Sequence, residues 1–416
     1  MVRLDRLEII MNSGSNKKSF FLGMLVSFVI TSFIVLVGVA LLLVGFLTLK
    51  EENGGVLFAS SNSFTQEELE KLSHYKEKLK ESYYEDVDDE TILDGMLSGM
   101  MLSVGDPYTC YYTKEEMEEM AESMSGTFQG IGAYLQADSE VGYAKITGVM
   151  KGSPAAEAGV QADDYIVLVD GEDMFQKDLN YIVSKVRGPE GTTVMLTLNR
   201  QGDKVELEVE RREIETESVT YEIVEGNIAY VRISEFTDVT AEQFAQALEQ
   251  FDTDAAEGML IDLRGNPGGN LAAVVEVCDQ ILPRGLIVYT EDKYGKGNRY
   301  SSSGGNEFKK PMVVLIDGAS ASAAEIMAGA IKDYGIGVLV GTNTFGKGIV
   351  QTVFQYSDGS GGKLTVSKYF TPNGVNIHKV GIAPDVEIPF DSEKYLEDET
   401  DNQYDEAIKI LQEKMK

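Results

Sequence analysis

The chain has 416 residues, enough for two or three domains with substantial cores. Its 68 acidic residues against 36 basic ones leave a formal net charge of −32 and no basic stripe to neutralise phosphates, which argues against a nucleic-acid binder. Two cysteines, Cys110 and Cys278, and two histidines, His74 and His378, give neither a disulfide framework nor a metal-site spacing, and no cofactor or metal is expected.

Residues 1–18 carry Arg3, Arg6, Lys17 and Lys18, and no charged residue then occurs before Lys50. About 20 apolar residues span a bilayer, so 19–49 is predicted as a transmembrane helix. The positive flank puts the N-terminus in the cytoplasm and everything after residue 49 outside the cell membrane. A cleaved signal peptide, cut near Phe58-Ala59-Ser60, is the rival reading; its apolar region would run only ~7–15 residues. Residues 50–63, rich in Gly, Ser and Asn, read as a linker. Residues 64–125 read as a helical arm. Leu69, Leu72, Tyr75, Leu79 and Tyr83 recur at helical intervals, and an apolar-faced helix at 91–104 stops at Asp106-Pro107. Such an arm suits a cap or a contact with a second copy. The acidic run 115–122 reads as a solvated face.

Residues 126–213 carry Gly130-Ile131-Gly132-Ala133 leading into a strand. Then come Gly152-Ser153-Pro154-Ala155-Ala156-Glu157-Ala158-Gly159, Asp163-Asp164-Tyr165-Ile166-Val167-Leu168-Val169-Asp170-Gly171, a helix at 179–186 and a strand pair at 193–200 and 204–211. This pattern resembles a PDZ domain. Such a domain binds a peptide by strand addition, with a glycine loop capturing the terminal carboxylate. The resemblance implies Gly130, Ile131, Gly132 and Ala133 as that loop and edge. Arg187, at the end of the second helix, is either a helix-end cap or a relay to the rest of the chain.

From Asn227 to about Pro389 apolar strands alternate with helical runs, the pattern of an α/β core. Strand 259–263 leads into Asp262-Leu263-Arg264-Gly265-Asn266-Pro267-Gly268-Gly269-Asn270, then a helix at 271–282. Strand 312–316 leads into Ala319-Ser320-Ala321-Ser322-Ala323-Ala324-Glu325, then a helix to Tyr334. Thr344-Phe345-Gly346-Lys347-Gly348-Ile349-Val350-Gln351 follows. A serine hydroxyl needs a base to become a nucleophile, and a lysine can serve if burial keeps it neutral. Lys347 has only apolar and glycine neighbours in sequence, and Gln351 could orient it. In a straight strand Lys347 and Gln351 would stand about 13 Å apart, so a shared serine requires a turned or helical chain near Gly348. Glycines at the other strand-to-helix corner suit an oxyanion hole, with Gly268 or Gly269 giving one N–H and Ala323 the other. Residues 294–308, rich in Gly and Ser, read as a mobile loop near the site. Residues 391–416 read as an acidic tail with a short amphipathic helix, a further contact element for a homo-oligomer.

Together with Asp106-Pro107-Tyr108 and Gly381-Ile382-Ala383-Pro384-Asp385, these motifs resemble the carboxy-terminal processing peptidases, which are tail-specific serine proteases. The resemblance covers roughly residues 64–389. It implies Ser322 as nucleophile rather than Ser320, Lys347 as general base and Gln351 as its partner. It implies a crotonase-like ββα protease core (214–390), with the PDZ domain (126–213) inserted after the arm. Substrates would be proteins or peptides with free C-termini. The rival reading is a membrane-tethered PDZ scaffold without proteolysis, which would have no need of a serine–lysine pair. An acyl-CoA enzyme on the same core is disfavoured by the extracytoplasmic address and the lack of a basic CoA-binding patch.

Overall fold

A computed structural model describes residues 64–416. The expected transmembrane helix (19–49) and linker (50–63) lie outside the described residues. Among those described, no helix is long and apolar enough to cross a membrane. The chain divides into two compact units at Asp88. The first contains the helix Gln66–Ser82, opened by a capping box in which Thr65 and Glu68 bond each other's backbone N–H.

The expected all-helical arm is therefore divided, and its second part is not wholly helical. Between helices Asp89–Leu102 and Lys114–Ser125 runs a short strand, Cys110–Tyr112. It pairs antiparallel with Gly361–Lys363 and joins a five-stranded sheet of the α/β core. Three residues are too few for a period-two signal in sequence.

The next strand, Thr127–Gly130, pairs antiparallel with Arg212–Glu215 as a two-stranded stem. Between its two halves lies a closed small domain. Its sheet runs in the order Ala133–Asp138, Tyr143–Val149, Tyr165–Val169, Thr193–Arg200, Asp203–Glu210. Ile146, Ile166, Ile182, Leu196 and Leu198 fill its core. The last two strands meet at Gln201-Gly202, both at positive φ, the geometry of a tight hairpin. Ala133–Asp138 is one of the two outer strands, and helix Leu179–Val186 packs beside it.

The α/β core is built on a six-stranded sheet in the order Val219–Val224, Ile228–Ile233, Gly258–Asp262, Met312–Ile316, Val338–Gly341, Val386–Glu387. All neighbours are parallel except the first pair. Side chains alternate between faces along each strand. Met259, Ile261, Val314 and Ile316 face helices Thr240–Thr253, Leu271–Asp279 and Ala323–Tyr334. Leu260, Val313, Leu315 and Val340 face Ala407 and Leu411 of helix Asn402–Lys414. The tail expected as an intermolecular contact thus covers the second face of its own chain's sheet. The stretch 294–308 also differs from a plain loop, since Arg299–Ser302 forms a strand against Gly285–Asp292.

Candidate active site

The site lies at the carboxyl ends of the parallel strands, where chain reversals gather loops from distant segments. After strand Met312–Ile316 the turn is fixed by Ser320. Its Oγ donates to the Leu263 carbonyl (2.8 Å), and the residue is fully buried. Ser322, two residues on, opens helix Ala323–Tyr334 with φ 53° and ψ −112°. A non-glycine residue at positive φ stores strain and is held only by its surroundings. The two serines therefore differ in setting. Ser320 is a buried brace, whereas Ser322 lines a cavity of about 470 Å³.

Lys347, Gln351, Ala323 and Gly269 line the same cavity. The structure thus brings the expected serine, lysine and glutamine into one space, although no helical turn forms near Gly348. Lys347 instead precedes the strand Ile349–Gln355, whose register breaks between Val350 and Gln351. Such a bulge bends the strand and re-aims its side chains. The Gln351 amide donates to Thr365 Oγ1 at 3.3 Å. The Lys347 amine is pushed below the ordinary lysine value, first by burial and then by the Lys363 charge, against the opposing pull of Glu325 and Asp106.

Two residues not singled out in the sequence hold Ser322 and Lys347 together. Glu325 is fully buried, and its carboxylate accepts from Ser322 N–H (2.9 Å), Gly346 N–H (2.7 Å), Lys347 N–H (2.8 Å) and Thr344 Oγ1 (2.6 Å). Only the Ser-x-x-Glu spacing of a capping box hints at it. Tyr369, also buried, points its hydroxyl at the carbonyls of both Ser322 and Lys347. Nothing local in the sequence marks it.

The glycine corner is locked by Asn266, which is buried. Its Nδ2 donates to the Ile233 carbonyl (2.9 Å), and its own carbonyl accepts from Ala321 N–H (2.9 Å). Asn266 Oδ1 accepts from Gly268 N–H (2.8 Å), so that N–H is already engaged. Among the described residues, the N–H groups of Gly269 and Ala323 carry no hydrogen bond. A Cβ at Gly268 would meet Ser322 Cβ at 2.7 Å, so this close packing requires glycine. Ahead of the corner, buried Asp262 pairs with Arg264 (2.7 Å) and accepts from Tyr230 (2.8 Å). Burial, with the Asp262 carboxylate beside it, pushes the Tyr230 phenol up to about 12.

In the small domain Gly130 closes the stem, whereas Ile131 and Gly132 make the turn into the outer strand Ala133–Asp138, Gly132 with φ +76°. Arg187 caps helix Leu179–Val186, and its side chain reaches out of the domain. Its Nη1 donates to both carboxylate oxygens of Glu122 (2.9 and 2.7 Å), with the guanidinium over the Phe128 ring. Glu122 belongs to helix Lys114–Ser125, whose Met120 and Met124 line the Ser322 cavity.

Comparison with known proteins agrees with this architecture. The profile "Peptidase family S41" matches residues 227–388, "PDZ domain" residues 145–200, and "Activating protease CtpB N-terminal domain" residues 43–116. The chain is similar to carboxy-terminal processing protease CtpA of Bacillus subtilis, 37% identical over 336 residues that cover 80% of this chain and 72% of the relative. To CtpB of the same organism it is 38% identical over 336 residues, 79% of this chain and 70% of the relative. Among solved structures, the photosystem II D1 C-terminal processing protease is 29% identical, with a TM-score of 0.45, over 76% of this chain and 87% of that one. The chain therefore belongs to the carboxy-terminal processing proteases of peptidase family S41, serine peptidases that carry a PDZ domain.

Proposed function

We propose that this chain is a membrane-anchored endopeptidase that cleaves extracytoplasmic proteins selected by their C-terminal tails, with Ser322 as nucleophile and Lys347 as base. The observation that carries this reading is the shared cavity. Ser322 and Lys347 line it together, and the backbones on both sides of the reaction are tied by Glu325 and Tyr369.

Ser322 Oγ attacks the scissile carbonyl carbon while neutral Lys347 Nζ takes its proton. The oxyanion formed accepts from the unengaged N–H groups of Ala323 and Gly269. The intermediate collapses, the C–N bond breaks, and the Lys347 ammonium returns its proton to the leaving amine. A water, deprotonated by Lys347, then attacks the acyl-enzyme and releases the acid. Gln351, in the same cavity, orients the lysine. Met120, Met124, Leu271 and Ile326 give the cavity an apolar wall suited to an uncharged, apolar substrate side chain.

A substrate tail adds to the outer strand Ala133–Asp138 beside helix Leu179–Val186. The turn Ile131-Gly132-Ala133 offers N–H groups to its terminal carboxylate. The Arg187–Glu122 pair relays that capture to the helix walling the active-site cavity. The uncharged run 19–49 anchors the chain, N-terminus inside.

Ser322→Ala and Lys347→Ala should each abolish cleavage of a tail peptide while leaving its binding intact. Unchanged cleavage by either variant removes the dyad. Fractionation with protease shaving tests the anchor, and release of the full-length chain into the soluble fraction would overturn it. The scaffold reading predicts tail binding with no serine-dependent cleavage.

A further inference from the structure

The reaction needs the Lys347 amine at Ser322 Oγ, yet among the described residues no hydrogen bond joins those groups. The amine has another neighbour. Lys347 Nζ lies 4.5 Å from the centroid of the Tyr108 ring. The backbone that carries this ring is itself well fixed. Tyr108 N–H donates to Asp106 Oδ1 (3.1 Å), and Thr109 Oγ1 donates to Asp106 Oδ2 (2.7 Å). Thr365 N–H donates in turn to Thr109 Oγ1 (3.1 Å), and the Gln351 amide reaches Thr365 Oγ1. Strand Cys110–Tyr112 then binds the segment to the catalytic sheet. The segment that carries the ring is thus held against the sheet whose strand Ile349–Gln355 follows Lys347 and carries Gln351.

An aromatic face attracts a cation through its quadrupole and has no comparable attraction for a neutral amine. A general base must be neutral to accept a proton. The ring therefore favours the form of Lys347 that cannot act. The other groups that bear on this amine are the Lys363 ammonium from strand Gly361–Phe370, and the Glu325 and Asp106 carboxylates from the helix and segment packed against it. The Tyr369 hydroxyl faces the Lys347 carbonyl. Of these neighbours Tyr108 can be changed without altering the charge of the site.

We propose that Tyr108 is a positioning residue: a seat that holds resting Lys347 as a cation and competes with Ser322 Oγ for its amine. This rests on the Ser322/Lys347 reading. Leaving the seat is then a step of the catalytic cycle, and weakening the seat speeds the enzyme, whereas a merely structural tyrosine would slow it when lost.

The test uses the full chain, a fluorogenic tail peptide, and kcat and KM across the neutral-to-alkaline range, with thermal melts as a folding control. Tyr108→Leu keeps an apolar group beside the amine and removes the ring. It should raise kcat near neutrality by about 2–30-fold, the factor that corresponds to the usual range of a cation–π contact, with KM little changed. The acid limb of the kcat/KM profile should move to lower pH, because the protonated form has lost a partner. Tyr108→Phe, which keeps the ring, should restore both to the parent values. A lower kcat in Tyr108→Leu, an unmoved acid limb, or Tyr108→Phe behaving like Tyr108→Leu would overturn the seat. If Tyr108→Leu fails to fold, pentafluorophenylalanine at position 108 keeps the shape and reverses the quadrupole; the same rise is expected, and a parent rate would overturn the proposal. Lys347→Met separates the two readings. It should be inactive on either Tyr108 outcome, and cleavage by it would sink the dyad and the seat together.

Discussion

One phenol oxygen ties Ser322 to Lys347: Tyr369 Oη lies 2.9 Å from the Ser322 carbonyl and 2.6 Å from the Lys347 carbonyl. Burial pushes this phenol well above its ordinary value, so it remains a donor throughout the working range. Glu325 does the complementary work by accepting the N–H groups of the same two residues. A buried donor and a buried acceptor thus fix the two loops before any substrate arrives, as preorganised catalysis requires.

Glu325→Gln should therefore be costly although the residue touches no substrate. The amide NH₂ would face backbone donors, leaving at least one of them unsatisfied. A stability loss of about 2–4 kcal/mol is expected. Loosening the loops by about 1 Å should lower kcat about 10²-fold. Denaturant unfolding and peptide cleavage check both, and a variant with parent kcat would show that the clamp is dispensable.

Ser322→Gly and Ser322→Ala should both be inactive yet differ in stability. Alanine retains the strained positive φ of 53°, whereas glycine relieves it. The glycine variant should be the more stable by about 1 kcal/mol, read as a higher Tm. Equal melting points, or a more stable alanine variant, would mean that the backbone at this turn carries no strain.

Cleavage should rise with pH as Lys347 deprotonates, with its midpoint below the ordinary lysine value. Burial and the Lys363 charge both disfavour the ammonium. Removing that charge in Lys363→Gln makes protonation easier. The midpoint should then move to higher pH and the rate near neutrality should fall, while Lys363→Arg should preserve the profile. A Lys363→Gln midpoint unmoved, or displaced to lower pH, would exclude an electrostatic role.

Arg187→Ala should uncouple tail capture from catalysis. The pair it forms with Glu122 is partly exposed, so its loss should change stability by only ~0–1 kcal/mol. Peptide binding should persist, measured by fluorescence anisotropy, while stimulation of a second substrate by tail peptide falls toward none. Full stimulation in this variant would place the coupling elsewhere.

Much of the site is legible in the chain because its reagents are local. Strand Met312–Ile316, the small-residue turn and the helix after Ser322 fall within about two dozen residues, and period and turn chemistry suffice to read them. The glycine patterns of the PDZ segment are local in the same sense. The brace is not. Glu325 reaches Thr344, Gly346 and Lys347 across 19 to 22 positions, and Arg187 finds Glu122 across 65. Tyr369 looks like an ordinary sheet aromatic, and Tyr108 stands in a motif with no stated role, until the fold juxtaposes both with Lys347. The choice between Gly268 and Gly269 turns on one side-chain acceptor, Asn266 Oδ1, whose direction no spacing reveals. The amphipathic tail helix was readable as a helix, but its periodicity could not say whether its apolar side met another molecule or the sheet behind it.

The stem Thr127–Gly130/Arg212–Glu215 has an evolutionary corollary. Its outer ends, Thr127 and Glu215, are direct partners across an antiparallel pair, only about 5 Å apart. Excising everything between them would leave a gap that a tight loop closes, and a replacement module need only present two adjacent termini. A lineage could thus graft a receptor with a different taste in tails, or discard it altogether, without rebuilding the chemistry beneath.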